Sequence, residues 1–110
     1  MMWKCLLTIP SLLLVLISSA HAATLTTFRC DGSLFEPDGS SHPFNATLTL
    51  GSRSSIDVGK GLIHVSPISN NKIQFKFAAS GFTGEYFHYT HDLFLIYRSG
   101  HLGRLTCSPG

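Results

Sequence analysis

The sequence predicts an all-β domain, a small antiparallel β-barrel, with a β-sandwich as the alternative. Three observations carry the prediction. Several short segments alternate apolar and polar residues with a period of two, as strands with one wet face do. After the first twenty-odd residues nothing repeats at the 3.6-residue helical period, while Gly, Pro, Asn and Asp punctuate the chain at short intervals. Cys30 and Cys107 lie near opposite ends of that remainder, so a bond between them makes the terminal strands neighbours and closes the sheet.

Met1–Ala22 reads as a cleaved signal peptide. Lys4 is its only charge, an apolar run follows from Cys5 to Ile17, and Ala20-His21-Ala22 offers small residues at the cleavage positions. The run is too short and too interrupted, by Thr8 and Pro10, for the ~20 apolar residues of a membrane span. No membrane anchor remains after cleavage. Residues 23–110 then form a single all-β domain.

Thr26-Thr27-Phe28-Arg29-Cys30 puts Phe28 and Cys30 on one face of a first strand. Residues 31–43 contain Gly32, Pro37 and Gly39 and are expected to form a long exposed loop, a functional candidate because such loops are uncommon in compact domains. Thr47–Leu50 is a strand with threonine outside. Residues 54–58 form a weaker one, ended by Gly59-Lys60-Gly61. In Leu62–Val65, Ile63 and Val65 face in and His64 faces out. Residues 66–71 read as a turn, making a hairpin of residues 61–66 with residues 72–78, in which Ile73, Phe75 and Phe77 share the inner face. Asp92–Arg98 is apolar on both parities and reads as a strand covered on both sides. Ser99-Gly100-His101 turns the chain into a last strand, 103–107.

Of 110 residues 13% are charged, about half the usual fraction of roughly 25%, which argues against disorder. The formal net charge is +2, with no basic stripe of the kind nucleic acid requires. Of the three cysteines, Cys5 leaves with the signal. Cys30 and Cys107 remain as a disulfide, and the address is secreted or periplasmic.

His88 and His91, with Glu85, Tyr86, Tyr89 and Asp92 around them, invite a metal reading. On an extended strand the odd spacing sends the two histidines to opposite faces, so no metal site is expected. No cofactor and no catalytic residues are expected either. There is no G-x-S-x-G elbow, no free cysteine nucleophile, and Gly59-Lys60-Gly61 lacks the remaining glycine of a phosphate loop. A filled interior leaves little room for a substrate pocket in so small a barrel. Asn45-Ala46-Thr47 is a formal N-glycosylation acceptor, uninformative without a known secretory pathway. Phe87, Phe94 and Tyr97 are expected in the core. Tyr86, His88, Tyr89, His91 and Arg98 form the expected interaction surface, since aromatic residues and arginine anchor interfaces.

Phe28-Arg29-Cys30, Ser80-Gly81 and Tyr97-Arg98-Ser99-Gly100 follow one another in an order that resembles the small periplasmic inhibitors of C-type lysozyme. The resemblance covers about a quarter of the mature chain and implies an exported eight-stranded barrel that inhibits a hydrolase. The tyrosine close behind the family's Ser-Gly is displaced to Tyr86, and Arg98 stands out of place for its lysine, so the inhibitory residues are not carried over. The leading expectation is an exported non-enzymatic binding module with a protein or small-ligand partner. A hydrolase inhibitor is the first alternative, and a metal-binding protein or small enzyme the second.

Overall fold

The computed structural model describes residues 25–110; the expected signal peptide lies outside the described residues. Nine antiparallel strands form one sheet: β1 (Leu25–Phe35), β2 (Ser41–Gly51), β3 (Ser55–Asp57), β4 (Leu62–His64), β5 (Ser66–Asn70), β6 (Gln74–Ala79), β7 (Phe82–Phe87), β8 (Asp92–Tyr97) and β9 (Leu102–Pro109). Their order is β4-β3-β2-β1-β9-β8-β7-β6-β5. The two outermost strands are consecutive in the chain, separated only by Val65, so the sheet curls into a nearly closed barrel. Val65 marks the seam and donates its N–H to the Ser54 carbonyl at 3.1 Å.

Terminal-strand adjacency is as the cysteines predicted. β9 pairs with β1 with Cys107 directly opposite Cys30, and the two are joined by a disulfide with Cα atoms 3.9 Å apart. The N–H of Cys107 bonds to His91 on the other side, so the cysteines form a non-hydrogen-bonded pair, in which side chains stand closest. Both are buried.

The long loop expected at 31–43 does not exist. β1 runs on to Phe35, β2 starts at Ser41, and only a tight turn joins them. Asp38 holds that turn by accepting hydrogen bonds from the Ser40 N–H (2.9 Å) and hydroxyl (2.7 Å). The breakers each have a local reason. A Cβ at Gly32 would collide with the carbonyl of Arg104, so glycine lets β1 and β9 approach. Pro43 lies opposite Ser33, three pairs from the bond between Glu36 N–H and Ser40. By the alternation of antiparallel ladders it makes no bond to β1. Its missing N–H points to the side where β3, which pairs only with residues 47–49, is absent, a position where proline is tolerated.

The expected hairpin is also different. Residues 66–70 form β5, which pairs with β6 through a bulge between Pro67 and Ser69, while β4 pairs with β3. The turn shifts to residues 71–73, where the Asn71 carboxamide oxygen accepts from the N–H groups of Ile73 and Gln74. Ile73 is therefore 61% exposed instead of inside. Phe75 and Phe77 do face in, and the Phe77 ring lies over Gly84, its cross-strand partner, where no Cβ fits. Leu48, Ile56, Leu93, Leu95 and Leu105 share the buried interior with Phe82 and Tyr86. β8 is not covered on both faces: Leu93 and Leu95 are buried, whereas Ile96 is 45% exposed on the outer wall.

Candidate functional site

The residues expected to form one interaction surface do not come together. His88, Tyr89 and His91 occupy the β7–β8 turn at one end of the barrel, and Arg98 belongs to the β8–β9 turn at the other. Tyr86 leads the fully buried side chains by volume. It fills its end of the barrel, 5.4 Å from the Phe28 ring and edge-on to His88 at 5.5 Å. A buried phenol needs a polar partner. Here the Tyr86 hydroxyl lies 2.7 Å from Nδ1 of His91, and burial raises its pKa above the ordinary value of 10.0.

His91 reaches Tyr86 because its backbone has φ of 65°, an uncommon left-handed conformation for a residue other than glycine. Extended-strand parity thus fails at this turn, and both histidines flank the same ring. The His88 Nε2 lies 3.2 Å from the carboxamide oxygen of Asn70. Among the described residues, no three His, Cys, Asp or Glu side chains converge as a metal ion would require. Tyr89 is 75% exposed and stands alone at the tip. Phe87 and Phe94, expected in the core, are only half-buried and pack edge-to-face at 6.0 Å outside it.

The opposite end is open. A cavity of about 490 Å³ enters the barrel there, within the range of roughly 300–1,000 Å³ typical of small-molecule sites. Its wall is apolar: Leu34 from β1, Phe44 from β2, Val58, Ile63 from β4, Phe82 from β7 and Tyr97 from β8. Buried side chains fill the barrel interior as expected, but this end is left hollow where no room for a pocket was expected. The Phe82 and Tyr97 rings pack at 4.9 Å, and burial raises the Tyr97 pKa above 10.0.

The opening follows from the seam. β4 pairs only with β3, and β5 reaches along β6 only as far as Ala78. Past that point the sheet is unzipped, and Gly61, Ile63 and Ser80 border the mouth. The rim is polar. Lys60 projects from a loop with positive φ at Gly59 (103°) and Gly61 (94°), anchored by the Asp57 carboxylate accepting from the Gly59 N–H at 2.8 Å. Across from it, His101 Nδ1 lies 2.8 Å from the Ser99 hydroxyl. His101 and His42 approach the Glu36 carboxylate at 3.9 and 3.6 Å.

Comparison with protein-family models, with curated proteins and with solved structures finds no match. The geometry alone carries the functional argument. Among the described residues no helix is long and apolar enough to cross a membrane. The sequence reading missed the mouth for two reasons. Leu34 falls inside the segment expected to be a loop, and Gly59-Lys60-Gly61 reads as a strand terminator and a failed phosphate loop, neither of which points to a rim. A usable signal was present: a lysine between two glycines holds a charged side chain out on a tight loop.

Proposed function

We propose that the protein is a small, exported, non-enzymatic binding module that takes the apolar part of its ligand into the open mouth of the barrel. The observation that supports this is the cavity of about 490 Å³, apolar in its walls and polar only at its rim. Barrel mouths of this build are common sites for small ligands. Export to the periplasm or the extracellular space fits the disulfide and the signal pattern of Met1–Ala22.

A neutral polarity-sensitive dye, N-phenyl-1-naphthylamine, tests the reading. Saturable one-to-one enhancement of its fluorescence is expected. Ile63→Trp or Leu34→Trp, which put an indole into the cavity, should abolish it while leaving far-ultraviolet circular dichroism unchanged. Absence of saturable binding, or equal binding by both well-folded variants, contradicts the proposal.

One contact favours a second reading, inhibition of a secreted hydrolase. The Arg98 N–H donates to the Gly81 carbonyl at 3.1 Å, placing Ser80-Gly81 beside Tyr97-Arg98-Ser99-Gly100, the segments that resemble the lysozyme inhibitors. A C-type lysozyme assay with an equimolar amount of the protein decides it. Loss of turnover supports inhibition, and unchanged turnover ends that reading.

A further inference from the structure

The mouth has a charge asymmetry that narrows the ligand class, granted the reading of the mouth as the binding site. No aspartate or glutamate lines the cavity, whereas Lys60 and His101 do. Two nearby carboxylates are engaged in their own turns, and a third stands beside two imidazoles. Asp57 accepts from the Gly59 N–H, Asp38 accepts from Ser40, and Glu36 lies between His42 and His101. Lys60 makes no ion pair with an acid among the described residues. Its two flanking glycines hold the loop in a conformation that other residues rarely adopt. A cation thus stands at the entrance of an apolar cup with no acid paired to it among the described residues.

We infer that the ligand is a monoanionic amphiphile, such as a carboxylate on an alkyl chain. Its apolar body lies against Phe44, Phe82 and Tyr97, and its anionic head is held at the rim by Lys60. An apolar tail alone would be satisfied by the walls. The lysine adds discrimination between anionic and neutral heads, because a partly desolvated charge pair is stronger than one in bulk water.

Calorimetric titration of the purified protein with decanoate and with decanol tests this. Decanoate should bind about two- to fivefold more tightly than decanol, the range of an ion pair at an exposed rim. Lys60→Gln should erase that difference without weakening decanol, and Lys60→Arg should preserve it. Equal affinity for the two probes, or a preference untouched by Lys60→Gln, overturns the assignment of an anionic ligand while leaving the apolar mouth standing. Failure of both probes to bind overturns the inference together with the reading beneath it.

Discussion

At the end of the barrel where β7 turns into β8, Tyr86 is 1% exposed, its hydroxyl is 2.7 Å from His91, and Phe28 packs 5.4 Å away. At the other end Tyr97 packs on Phe82 at 4.9 Å and borders an open cavity. Each end carries an inward tyrosine, a phenylalanine against it and a histidine in the following turn. The difference lies in the seam, which is paired beside Tyr86 and unzipped at the mouth, and in the turn. The positive φ at His91 brings the imidazole onto the Tyr86 hydroxyl, and the end is plugged. At the mouth, Ser99 lies 2.8 Å from His101 Nδ1, and the His101 ring stands 6.5 Å from Tyr97, leaving the cup uncovered. Aromatic content is thus equal evidence for a plug and for a site; the turn at His91 and the seam, which stays unzipped past Ala78, together separate them.

The disulfide sets the stability of the wall that both ends share. Replacing Cys30 and Cys107 by serine removes a cross-link spanning 77 positions, worth about 4 kcal/mol in the chain-entropy model. The melting temperature should fall by more than about 10 °C, with dye affinity retained below the new transition. A double mutant as stable as the parent, or free thiols in the native protein, would remove the cross-link from the account.

Truncating the two tyrosines separates the ends. Tyr86→Ala should cost about 3 kcal/mol, near the low end for large-to-small aromatic changes in a core, and leave dye affinity unchanged. Tyr97→Ala should cost about half as much, because that ring already borders open space, and should weaken the dye. Denaturant melts and dye titrations on the same samples check both. Reversal of the pattern would place the site at the wrong end.

How much of this was legible in sequence follows the range of the cause. Period-two alternation marked Phe75, Phe77, Leu48 and Ile63, and compartment logic paired the cysteines, because strand parity and cross-linking act through the chain itself. The continuation of β1 and β2 through Gly32 and Pro43 was hidden. Glycine there serves an approach to Arg104, which is distant in sequence, and the proline is harmless only because β3 is short. Ile73 was misplaced for a nearer reason: Asn71 captures its N–H and the strand starts two residues later, at Gln74. The opening was illegible because it comes from strand pairing that stops at Ala78, which no residue type announces; only the rim lysine between Gly59 and Gly61 has a local signal.

A smaller effect sharpens the comparison. Tyr86→Phe removes the bond to His91 and should cost about 0.5–1.5 kcal/mol without touching the mouth. A loss of dye binding in that variant would mean that the two ends are coupled.

The tyrosine pKa values supply the smallest effect, at alkaline pH. Burial raises both Tyr86 and Tyr97, so the unfolded chain, with phenols near about 10, loses its protons first. This contribution to stability is complete below that pH and is lost as pH rises through the folded values. Phenolate absorbance should therefore show two tyrosines ionising later than a free phenol, and bound ligand should delay Tyr97 further but not Tyr86.

Backbone amide chemical shifts recorded during a decanoate titration test the separation of plug and mouth most directly. Shifts should concentrate at Leu34, Phe44, Ile63, Phe82, Tyr97 and His101 and spare Tyr86, His88 and His91. Changes centred on the Tyr86–His91 turn, or none at saturating decanoate, would contradict the assignment of the open end as the binding site.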